Sequence, residues 1–206
     1  MAQAQVLERL ETMESTWTVE SPWGVSWQKL MMWIFIAGDA LLFAGLLASY
    51  GFVRLASPAW PKQSEVFHLE LIGLMTFVLI SSSATMASAV GAAQRGDHAR
   101  ATRFLWLTIL GGLGFLGMQA YEWTTLFEEG ARLTTNPWGV PQFGASFFVI
   151  TGFHGSHVWS GLVILAIVAL RSLKGRATAQ GVELAGLYWH FVDLVWVFIF
   201  TLFYLV

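Results

Sequence analysis

The chain has 206 residues, of which 56% are hydrophobic and only 12% charged, with a formal net charge of −2 and no cysteine. A soluble domain carries about 25% charged residues; with a mean hydropathy of +0.61, this chain has too little polar surface for water and too much apolar surface for disorder. The missing thiols exclude disulfide scaffolds and cysteine chemistry, and the slightly acidic balance argues against a nucleic-acid partner.

Residues 1–28 contain Glu8, Glu11, Glu14 and Glu20 and no continuous apolar core, so they do not read as a signal peptide. Val6, Leu7, Leu10 and Met13 fall at helical spacing. The segment is therefore a polar tail or a short surface helix.

Five apolar runs follow, near 30–53, 71–94, 102–127, 142–170 and 183–205. A helix needs about 20 apolar residues to cross a bilayer, whereas strands of a membrane barrel are about half that length and alternate strictly. The expected fold is all-α, a bundle of five transmembrane helices in residues 29–206. With the N-terminus inside, Arg9, Lys29, Arg95, Arg100, Arg103, Arg171, Lys174 and Arg176 are cytoplasmic, against Arg54, Lys62 and Arg132 outside. That bias places the N-terminus in the cytoplasm and, with an odd number of spans, the C-terminus opposite.

Small residues recur at Ala37, Ala40, Ala44 and Ala48, at Gly111, Gly114 and Gly117, and at Gly152, Ser156 and Ser160. Such ridges let helix backbones approach closely in lipid. They imply a packed bundle with room for partner helices, and no particular activity.

The ionisable residues within the runs are more informative, because they are costly in lipid. Asp39 lies nine residues into the first run, about 14 Å deep at 1.5 Å per residue. It reads as a proton- or lipid-linked carboxylate, or as an Asp hydrogen-bonded to a neighbouring helix. Glu122 stands between Tyr121 and Trp123 near the end of the third run; it is either a second such carboxylate or a side chain reaching headgroups from an aromatic belt. Glu70 reads as an interface residue. His154 and His157, and His190 and Asp193, are each spaced i, i+3 and share a helical face. With Glu122 they can compose a His/carboxylate metal site, and His alone can ligate haem. The preferred reading is a set of interhelical polar contacts joining spans four and five. Gly111-Gly112-x-Gly114 lies inside an apolar helix and is no dinucleotide loop.

Several of these stretches carry a resemblance. Tyr188-Trp189-His190-Phe191-Val192-Asp193-Leu194-Val195-Trp196 resembles the last-helix signature of subunit III of haem-copper terminal oxidases. Thr151-Gly152-Phe153-His154-Gly155-Ser156-His157-Val158 resembles the penultimate helix, with Ser156 where an apolar residue is usual. Leu79-Ile80-Ser81-Ser82-Ser83-Ala84-Thr85, Gln119-Ala120-Tyr121-Glu122-Trp123 and Ala37-Gly38-Asp39-Ala40-Leu41-Leu42-Phe43-Ala44-Gly45 fit in the same order, Asp39 standing where many members have Glu. The resemblance covers about residues 30–206 and is to the five-helix bacterial form.

The resemblance implies a subunit with no haem or copper of its own. It would pack mainly against oxidase subunit I, and also meet subunit II, in a bacterial cytoplasmic membrane; haem and copper belong to those partners. It would support proton uptake and hold structural phospholipid. Asp39 matches the family's membrane carboxylate, and Arg171 a family arginine associated with lipid headgroups. His154, His157, Glu122, His190 and Asp193 match motif positions read as interhelical and lipid-proximal contacts. The electron donor is expected to be cytochrome c, with quinol oxidase and nitric oxide reductase-associated relatives as alternatives. A stand-alone ion transporter using Asp39, Glu122 and Asp193 and a membrane metalloprotein are the readings from other classes.

Overall fold

A computed structural model of the chain describes residues 24–205. Most of the N-terminal tail, including its helical Val6–Met13 pattern, lies outside the described residues. Every regular element among the described residues is helical. These are α1 (Trp27–Ala56), the short α2 (Gln63–Val66), α3 (Leu69–Gln94), α4 (His98–Glu128), α5 (Pro141–Leu173) and α6 (Ala179–Ile199), the last continued by a π-helical turn, Phe200–Leu205. Five of these helices are long and apolar enough to cross a membrane. The described residues fall into two compact units, which divide between Asp39 and Ala40.

The helices overrun the apolar runs at charged ends, for reasons found in their caps. The α3 helix closes at Gly96, whose φ of +76° lets Asp97 N reach Ala92 O and Gly96 N reach Ala93 O, both at 3.0 Å. That reversal needs the left-handed conformation glycine adopts most easily. Asp97 then caps α4, its Oδ1 accepting from Arg100 N at 3.0 Å, so the polar stretch from His98 to Ala101 is already helical. Thr178 does the same for α6, its Oγ1 accepting from Gly181 N at 3.1 Å. Pro141 opens α5, where its missing N–H costs nothing.

In the first unit, α1 runs from Trp27 to Asp39 with Ile36 and Asp39 buried. In the second, α4 packs on both α3 and α5, and α6 packs on the same two helices. The remaining part of α1 joins through Phe43 and Tyr50, 3% exposed each. Phe43 meets Phe153 and His157, with centroids 5.0 and 5.2 Å apart. Tyr50 stacks on Phe203 at 3.9 Å. In the second unit the buried side chains of α1 are thus Phe43 and Tyr50, while Ala40, Ala44 and Ala48 of the small ridge are exposed, as is Ala37 in the first unit.

Glycine decides how closely α4, α5 and α6 approach. A Cβ on Gly112 would stand 2.5 Å from Trp189 Cη2 and 2.7 Å from Leu162 Cδ2, and one on Gly161 would stand 3.0 Å from Trp189 Cε3. The Trp189 indole, 1% exposed, therefore lies between two bare stretches of backbone. Of the ridge on α5, Gly152 meets Trp123 and Ser160 meets Tyr188, but Ser156 is exposed and bonds back to its own helix. That ridge does not form one continuous packing face.

Candidate functional site

Polar side chains run through the interior as a chain of interhelical hydrogen bonds rather than as one pocket. On α6, Trp189 and Trp196 are seven residues apart and face the same way. Their indoles donate to Ser82 Oγ at 3.1 Å and Thr76 Oγ1 at 3.0 Å on α3. The partners are six apart in reverse order, as antiparallel helices require. Ser83 Oγ lies 2.6 Å from His190 Nδ1. Thr85 meets Thr108 at 2.8 Å, Ser160 meets Tyr188 at 2.6 Å, and Thr102 meets Ser172 at 2.6 Å. In lipid such bonds average roughly 0.6 kcal/mol, with a maximum of about 1.7; their larger effect is to fix rotation and register.

The residues singled out in the sequence fall into distinct environments. Asp39 is buried, 8% exposed, on α1. Glu122 is 5% exposed and turns inward, so it does not reach headgroups although Tyr121, beside it, is exposed. Its Oε2 accepts from Gln119 Nε2 at 2.7 Å and from the Tyr204 hydroxyl at 3.0 Å. Tyr204 is positioned by the π-turn at the end of the last span. His190 meets Ser83 of α3, not α5, and Asp193 is buried one turn further along α6.

The two histidines of α5 differ. His157 Nδ1 lies 2.8 Å from Phe153 O of its own helix. His154 is 1% exposed, and neither ring nitrogen has a hydrogen-bond partner. It stacks on Trp196 at 5.4 Å and meets Phe115 edge-on at 5.9 Å. The expected polar contact at His154 is therefore replaced by an aromatic cage, because α4 and α6 present rings, not acceptors, at that level. No group of three or more His, Asp or Glu side chains that could hold a metal occurs among the described residues; the i, i+3 pairs do not converge.

Arg171, in the last turn of α5, is exposed. It lines a pocket of about 80 Å³ with Val168, Arg176, Ala177, Thr178 and Gly181. Two guanidinium groups beside the start of α6 fit a phosphate, since planar donor forks match its oxygens. Glu70, in the first turn of α3, is exposed.

Sequence reasoning gave no role to Tyr204, Gln119, Thr76 or the indole donors. The heptad Trp189, Trp196 and Phe203 and the spacing of Gln119 from Glu122 were the available signals. The π-turn that brings Tyr204 inward had none.

The profile of the cytochrome c oxidase subunit III family matches residues 9–206. The chain belongs to that family. It is 35% identical over 179 residues to cytochrome c oxidase subunit 3 of Bacillus sp. (strain PS3), covering 85% of this chain and 84% of that one. It is 39% identical over 177 residues to cytochrome c oxidase subunit 3 of Synechocystis sp. (strain ATCC 27184 / PCC 6803 / Kazusa), covering 84% and 72%. Quinol oxidase subunit 3 of Bacillus subtilis (strain 168) matches at 34% over 179 residues, covering 85% of each. Subunit III of a haem-copper oxidase is thus a multi-pass membrane component of the respiratory chain, associated with other oxidase subunits.

Proposed function

We propose that this chain is the non-redox subunit III of a proton-pumping cytochrome c oxidase in a bacterial cytoplasmic membrane, its N-terminus cytoplasmic and its C-terminus opposite. It packs mainly on subunit I, also meets subunit II, and leaves oxygen reduction to haem and copper held there. The family match across residues 9–206 carries this reading. Its interior supports it: hydrogen-bonded polar pairs fix helix register, as a scaffold for a neighbouring catalyst requires. The outward-facing small ridge of α1 suits close approach by a partner helix.

Two carboxyl groups, Asp39 and Glu122, serve the proton-linked environment, and Arg171 with Arg176 holds a phospholipid headgroup. Quinol as donor is the second reading, favoured by the relative from Bacillus subtilis. Purified complex lacking this chain should keep its haem spectrum and initial turnover rate but lose activity progressively during turnover. Sustained turnover without the subunit would refute the role. Reduction of the complex by cytochrome c or by quinol, assayed in parallel, decides the donor.

A further inference from the structure

The Glu122 cluster has more acceptors than donors. Gln119 Nε2 and the Tyr204 hydroxyl both donate to Oε2. Glu122 Oε1 and Gln119 Oε1 are buried with no hydrogen-bond partner. A buried acceptor left without a donor costs about 1–3 kcal/mol, and this residue pair has two.

Glu122 also forms part of the wall of a small cavity, with Val66, Phe67, His68, Leu71, Tyr121, Thr125 and Leu126. Its free volume is about 10 Å³, at the threshold for one water molecule. Val66, Phe67 and Leu126 are 6%, 6% and 4% exposed and close the inner side. His68 is exposed and Thr125 half-buried, so these two lie towards the surface. The Thr125 hydroxyl donates to Tyr121 O at 3.1 Å, leaving its oxygen free to accept.

We propose that this cavity is a binding site for a single water molecule, which donates to Glu122 Oε1 and connects the buried carboxyl to the surface at His68. Water fits the chemistry better than an apolar occupant: Glu122, Thr125 and His68 are polar residues of the wall, Glu122 Oε1 is without a hydrogen-bond partner, and a buried water makes about three hydrogen bonds. A larger ligand does not fit. The arrangement lets Glu122 reach solvent through one molecule while the aromatic packing behind it stays dry. This deepens the proton-linked reading of Glu122 and rests on it only for its functional meaning.

The test is a map of the intact oxidase complex at a resolution that shows ordered water. A peak within hydrogen-bond distance of Glu122 Oε1 is expected in the wild type and in E122Q, whose carboxamide keeps a polar atom there. The peak should be lost in Val66→Ile, which adds a methyl group to the cavity, and in Glu122→Leu. Should Glu122→Leu fail to assemble, the wild-type and Val66→Ile maps decide alone. An empty cavity in the wild type, a peak with cation coordination, or a peak unchanged by Val66→Ile overturns the proposal. Turnover stability of the subunit-depleted complex tests the oxidase role separately, so the two failures are distinguishable.

Discussion

Gly112→Ala tests the claim that bare backbone sets the spacing of α4, α5 and α6. The new Cβ would stand 2.5 Å from Trp189 Cη2 and 3.0 Å from Cζ2, against an optimal carbon separation of about 3.5–4.0 Å. The indole must retreat by about 1 Å. Gly161 blocks one escape, since its own missing Cβ would lie 3.0 Å from Cε3, and the bond to Ser82 Oγ anchors the ring nitrogen. Overpacking costs roughly 1–3 kcal/mol, and a strained or lost indole bond adds about 0.6–1.7. The expected destabilisation is about 2–4 kcal/mol. It should appear as earlier thermal unfolding of this chain in the purified complex. A double-mutant cycle makes the reasoning specific, because Trp189→Phe removes the outer ring atoms that the new methyl strikes. Gly112→Ala should then cost at least about 1 kcal/mol less in the Trp189→Phe background, within the range seen for residues in contact. Equal cost in both backgrounds would refute the steric account.

His154→Phe should be neutral or stabilising, because it replaces an imidazole with no hydrogen bond by a ring suited to the cage of Phe115 and Trp196; a loss above about 1 kcal/mol in thermal unfolding would mean that the imidazole has a polar partner in the assembled oxidase. Asp97→Ala removes the cap on Arg100 N and should cost about 1 kcal/mol, whereas Asp97→Asn should retain most of it; equal losses in the two variants would assign the effect to the Arg100 ion pair instead.

Length and hydropathy alone determined that five stretches form helices long and apolar enough to cross a membrane among the described residues, because a bilayer requires every backbone group to be satisfied within the segment. Sequence also pointed to the residues that are costly in lipid; of these Asp39, Glu122 and Asp193 are buried, and His190 lies 2.6 Å from Ser83 Oγ on α3. What it could not show is which way each helix faces. In water, an apolar stripe marks the inner face; in lipid both faces are apolar, so hydropathy no longer separates them. Hence Ala37 to Ala48 turned outward and Ser156 fell away from its ridge. The same ambiguity hid the aromatic cage around His154 and the pairing of Trp189 and Trp196 with α3. Only tertiary packing could decide these, since each depends on what a neighbouring helix presents at the same depth. The inward turn of Tyr204 is the sharpest case, because a single π-turn at the end of the last span re-aims a side chain without leaving any mark in composition or periodicity.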